Sequence, residues 1–141
     1  MTTGQIDGFV GDFIFLSNEY KVPIHDGGIK FNCLEIAYYA AISHCHEIKQ
    51  HFSNMPLSEV RKYGNVIVTD VDDRVLQMML LLRKKFSSPR LSEMLLLTDG
   101  YSLNNTTSSD MFWGTADGRG QNALGVLLED TRDWLKTDRI F

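Results

Sequence analysis

From Asn32 onward the apolar residues of this chain return every three or four positions, and that periodicity constrains the fold more than any other feature. Leu34, Ala37, Tyr38, Ala41, Cys45 and Ile48 recur at helical spacing and predict a helix from about 33 to 50. Pro56 opens a short helical stretch through Tyr63. Asp70 or Asp72 can cap the next helix, in which Val75, Met78, Met79, Leu82 and Phe86 form one stripe. Ser88–Pro89 is a cap followed by a first-turn proline and starts a helix through about Leu97. The last helix begins near Asn122, with Leu124, Leu127, Leu128, Thr131 and Leu135 on one face.

Between these stripes the signals are shorter. "FIFLSN" (13–18) and "GGIKF" (27–31) read as strands, and "HDGG" (25–28) between them predicts a small hairpin. "GNVIVTD" (64–70) is a strand or a buried extended connection, and "TDGYSLNNTTSSD" (98–110) is a long polar loop. The expectation is a mainly α (α+β) fold: one compact multi-helical domain over residues 1–141, with a small antiparallel β element near the N-terminus. A chain of 141 residues buries roughly 68–70% of its unfolded surface, enough for a core without staples.

A net charge of −4 argues against sequence-independent binding to a nucleic-acid backbone, which needs a basic footprint. Two cysteines, Cys33 and Cys45, are too few for a disulfide framework, and a reducing cytoplasm follows as the expected location. The N-terminal residues lack a basic start and a sustained apolar run, so no signal peptide is expected. The longest apolar run, "MMLLL" (78–82), is far short of the roughly 20 residues of a membrane span.

Chemistry is sought first in "NCLE" (32–35), where Glu35 has two competing readings. It closes a capping box with Asn32, reaching back to that residue's N–H, or it is a catalytic carboxylate. In "SSDMFWGTADGRGQNALG" (108–125), Asp110 is an Asx-turn former or a functional acid, and Trp113 is a core aromatic or a stacking face. Gly114, Gly118 and Gly120 let backbone approach a ligand closely, and the helix that follows offers N–H groups to an anion. The glycine spacing 118, 120, 125 does not match the dinucleotide fingerprint. "HCHE" (44–47) invites a metal, but on one helix His44 and His46 point about 200° apart, so no metal site is expected. "RKK" (83–85) reads as the solvated end of a helix, one of whose cations could face a phosphate.

Five segments together resemble the NADAR (YbiA-like) family: "FLSNEYKVPI" (15–24), "FNCLEIAYYAA" (31–41), "RVLQMMLLLRKKF" (74–86), "LLLTDGYSL" (95–103) and "DMFWGTADGRGQNALGVLL" (110–128). The family is associated with N-glycosidase chemistry on riboflavin-pathway intermediates and with removal of ADP-ribose from guanine. The resemblance implies a YbiA-like fold and hydrolysis of a ribosyl N-glycosidic bond in an ADP-ribosylated or phosphoribosyl substrate, with no cofactor and no metal. A modified base in nucleic acid falls within that class. It implies Glu35 and Asp110 as catalytic carboxylates, Trp113 as stacking face, and Asn18, Gly114, Gly120 and Asn122 as further substrate contacts. One crevice would have to hold Glu35, Asp110 and Trp113.

The chain also departs from the family. Ile36, Tyr38, Tyr39 and Ile42 stand where a His, an aromatic, Gln and Lys are customary. Asn104 or Asn105 replaces a second Glu, and a Trp is missing near Asp70 and Val71. These losses keep an alternative open: an ADP-ribose or nucleotide binding module of weakened activity, or a protein-interaction (inhibitor) protein on the same scaffold.

Overall fold

The computed structural model describes residues 4–115 and 118–140. Asn18–Lys85 form one compact unit, and the segments before and after it form another.

In the Asn18–Lys85 unit, strands β2 (Ile24–Asp26) and β3 (Ile29–Phe31) make the expected antiparallel hairpin, with Ile24 opposite Phe31. Gly27 and Gly28 turn it with φ of 59° and 81°, the two positive values of a tight I′-type turn. Helix α1 (Leu34–Ser43) lies at the centre, in contact with α2 (His46–Ser53), α3 (Leu57–Gly64), α4 (Val71–Lys85) and the hairpin. Leu34, Ile36, Ala37, Tyr38, Ala40, Ala41 and Ile42 are all buried, so α1 is apolar around most of its circumference.

The predicted single helix 33–50 is two. His44 ends α1 in the left-handed conformation (φ 51°), and α2 restarts at His46. Cys45 and Ile48 continue the spacing by coincidence: neither belongs to the buried core. The break is pinned by Ser43, whose hydroxyl accepts from Cys45 N–H, and by His44, whose Nε2 lies 2.7 Å from Oδ2 of Asp73 on α4. Asp73 also accepts from Thr69 and Gln77, and these bonds, with that of Thr69 the strongest, hold its carboxyl down at about 2.

Asp70, not Asp72, caps α4 by accepting the Asp73 N–H at 2.8 Å. Of the expected stripe, Met78, Leu82 and Phe86 are buried while Val75 and Met79 are half-buried, and Leu81 and Lys85 join the buried face. Residues 65–70 are neither strand nor buried: Val66 is 75% and Val68 96% exposed.

The other unit holds β1 (Gly4–Asp7), a 3-10 helix (Gly11–Leu16), α5 (Pro89–Leu96), β4 (Tyr101–Asn104) and α6 (Ala123–Ile140). "FIFLSN" therefore lies largely in a 3-10 helix rather than a strand. Its aromatic Phe15 packs edge-on against Phe86 at 6.5 Å. Nor is 98–110 all loop, since β4 pairs in parallel with β1, Ile6 opposite Leu103. Helix α6 contacts both β4 and α5. Its buried Arg132 donates to the carbonyl and hydroxyl of Thr98 at 2.8 and 3.0 Å. Among the described residues no helix is long and apolar enough to cross a membrane.

Candidate functional site

Two clusters contain the residues singled out by sequence, one in each unit. The first surrounds Glu35 at the start of α1. The capping box does not form: Cys33 occupies the cap position, and no side chain caps it among the described residues. Glu35 instead faces Arg61 of α3, whose Nε reaches Oε2 at 2.6 Å and whose Nη2 reaches Oε1 at 3.0 Å. This is a two-point guanidinium–carboxylate pair. The same Nη2 donates to Glu19 as well, and the two carboxylates raise the Arg61 pKa. The Glu35 side chain is 17% exposed, against 58% for Glu19. The inner acid is thus partly desolvated while the outer one stands in water.

The segment 18–20 organises this cluster residue by residue. The Asn18 carbonyl accepts the Glu35 N–H at 3.0 Å. Its side-chain amide donates weakly to the Met78 sulfur at 3.5 Å, which leaves Oδ1 buried and without a hydrogen-bond partner. Glu19 holds Arg61, and the Tyr20 ring centroid lies 5.7 Å from Nζ of Lys85. Lys85 is only 2% exposed, and burial pulls its ammonium down to about 7. Cys33 lies within electrostatic reach of both Lys85 and Glu35, and burial pushes its thiol up.

Lys85 overturns the reading of "RKK" as a uniformly solvated helix end. Lys84 does lie at the surface, pairing with Asp26 at 2.6 Å. Sequence reasoning missed Lys85, Arg61 and Glu19. Lys85 carried a usable signal: it lies seven residues after Met78 and three after Leu82, on the buried face of α4. Arg61 carried none, because nothing local ties it to Glu35, 26 residues away.

The second cluster is the segment 110–125. Asp110 Oδ1 accepts the N–H groups of both Phe112 and Trp113 at 2.7 Å, the Asx-turn arrangement. The two rings meet edge to face at 4.7 Å, with Trp113 half-buried. The expected anion site at the start of α6 is closed. The N–H groups of Gln121, Asn122, Ala123 and Leu124 donate to the carbonyls of Met111, Gly114, Phe112 and Trp113 at 2.7, 2.9, 2.9 and 3.1 Å. A helix start whose first donors are already bonded has little left for a phosphate.

Asn122 is likewise engaged. From a left-handed backbone (φ 54°), its Oδ1 accepts from Asn105 N–H at 2.8 Å and its Nδ2 donates to the Leu103 carbonyl at 2.9 Å. The glycines serve this self-closure rather than a ligand. A Cβ on Gly114 would lie 2.8 Å from the Asn105 carbonyl oxygen, and one on Gly120 2.7 Å from that of Met111. Asn105 is buried and donates to the Trp113 carbonyl. Gly118 has the positive φ (83°) of a turn, while residues 116 and 117 lie outside the described residues.

Among the described residues no group of three or more His, Cys, Asp or Glu could hold a metal, and His44 is instead paired with Asp73. A surface depression of about 530 Å³ is lined by Glu47, Gln50, His51, Asn54, Met55 and Pro56, none of them a predicted site residue.

No model of a known protein family matches the sequence, and no curated protein matches it. The fold is similar to the NMR structure of the Escherichia coli protein YbiA, with a TM-score of 0.86. That likeness covers 99% of this chain and 89% of that one at 23% identity, and it is a likeness of fold.

Proposed function

We propose that this chain is a divergent member of the NADAR family that hydrolyses a ribosyl N-glycosidic bond, with Glu35 as its central carboxylate. The observation that carries this reading is the presentation of Glu35. It is not used as a helix cap; it is held at two points by Arg61 and partly withdrawn from water, within a YbiA-like fold. Breaking the C1–N bond leaves its electron pair on the base nitrogen and builds oxocarbenium charge on the sugar. A fixed carboxylate stabilises that charge, water adds to C1, and the proton that water releases balances the one taken up by the departing base.

Phosphate binding at the start of α6 and a ligand contact through Asn122 are not part of the proposal, because those donors are engaged. Asn18 Oδ1, a buried acceptor without a partner, remains as a substrate contact. Trp113 remains as a stacking face. A second reading, a binding module of weakened activity, is favoured by one specific observation: Arg61 engages both oxygens of Glu35.

The test is release of free base from ADP-ribosyl and phosphoribosyl substrates by wild type and Glu35→Gln, alongside thermal-shift titration with ADP-ribose and NAD. A rate loss on the order of 10²–10³ in the variant supports the catalytic assignment, and full activity removes it. Binding without turnover selects the module, and neither binding nor turnover directs the search to a protein partner.

A further inference from the structure

Residues 67–70 follow a turn at 65–66 and belong to no helix and no sheet. Val66 and Val68 are 75% and 96% exposed, while Ile67 and Thr69 between and beside them are half-buried. That is the period-two alternation of a strand with one face turned to solvent. The residue types agree, because Val, Ile and Thr are the strongest strand formers. The Ile67 N–H is taken by the Gly64 carbonyl. Among the described residues, however, no hydrogen bond reaches the backbone of Val68 or Thr69, or the N–H of Asp70. An exposed, unpaired β-branched segment is a template for another strand.

We propose that this segment joins two copies of the chain in an antiparallel pair about a two-fold axis at Val68. In that register the Val68 N–H and C=O of each copy bond those of the other. The Asp70 N–H of each also reaches the Val66 carbonyl of its partner copy. All of these groups are open, whereas a register centred on Ile67 would need an N–H already engaged.

The charge order selects a second copy as the occupant. Exposed Lys62, which also lies 3.3 Å from Glu59 on its own helix, precedes the segment, and exposed Asp70 and Asp72 follow it. Antiparallel self-pairing brings the basic flank of each copy toward the acidic flank of the other, while parallel pairing would align like charges.

Mass measured by sedimentation between about 10 µM and about 1 mM tests this, over the affinity range of a small interface. The mass is expected to rise from 16.1 kDa toward twice that value. Val68→Lys sets two like charges opposite each other at the axis and is expected to raise the dissociation constant at least about tenfold. The fold should survive, since the side chain is 96% exposed, and unchanged thermal unfolding checks that. Lys62→Glu should weaken association, and adding Asp72→Lys should restore it. A wild type that stays monomeric throughout, or a Val68→Lys variant that pairs like wild type, overturns the proposal.

Discussion

The Glu35 cluster and the 110–125 segment are both rich in polar groups, yet they treat those groups in opposite ways. Around Glu35 a carboxylate is held by a distant guanidinium, an acceptor on Asn18 is buried without a partner, and an ammonium is buried on α4. In 110–125 most polar groups close on themselves: Asp110 on the amides of Phe112 and Trp113, the carbonyls of 111–114 on the first donors of α6, Asn122 on β4 and Asn105, with the buried Thr115 hydroxyl as the exception. Unsatisfied buried groups and displaced titrations gather where ligands bind, whereas satisfied ones rigidify a fold. The segment with the more motif-like sequence is thus the more structural of the two.

Three substitutions sharpen or break this contrast. The largest effect is expected at Lys85. Its folded value of about 7 lies below the ordinary 10.5, so the unfolded chain binds the extra proton between those pH values and stability rises with pH across that window. The displacement corresponds to about 4–5 kcal/mol of burial cost, fully present below pH 7. Lys85→Met should therefore stabilise the protein at neutral pH and flatten its stability between pH 7 and 10.5, as measured by denaturant unfolding. A stability curve that keeps its slope in the variant would show that the amine is not desolvated.

Next in size is Gly120→Ala. The added methyl meets backbone atoms of Met111 and Gly114, which cannot swing aside, and a loss of about 2–3 kcal/mol is expected in the same measurement. A neutral result would mean that 111–120 yields easily and is not the closed structural turn described above.

The smallest effect belongs to Asp110→Asn, which keeps Oδ1 as acceptor for both amides and should change stability by less than about 1 kcal/mol. Turnover that also survives assigns Asp110 to the turn. Turnover lost with stability intact restores it as a second catalytic acid and breaks the contrast.

Much of the architecture was legible along the chain. The stripes of α4 and α6, the Pro56 and Ser88–Pro89 starts, a cap at Asp70 or Asp72 and the Gly27–Gly28 turn are all local chemistry, set within a turn or two of the residues concerned. The readings that failed were those in which a distant contact outweighed a local one. The apolar spacing ran through His44 because a helix break held by Asp73 leaves no trace in it. The strand β4 looked like loop because its partner lies near the opposite end of the chain, Asp7 beside Asn104. The Asn32–Glu35 box was locally sound, but Arg61 offers Glu35 a charged two-point partner, stronger than a single backbone N–H.

By itself, then, the order of residues determined most of the helical stretches and how the hairpin turns, since backbone bonding and side-chain periodicity act over a few positions. Only the tertiary structure decided that Glu35 is clasped, that Lys85 is dry, and that the start of α6 is already occupied. The first two depend on which segments far apart in the chain are brought close enough to exclude water and exchange hydrogen bonds, and the third on the carbonyls of Met111–Gly114 folding back onto the helix they precede.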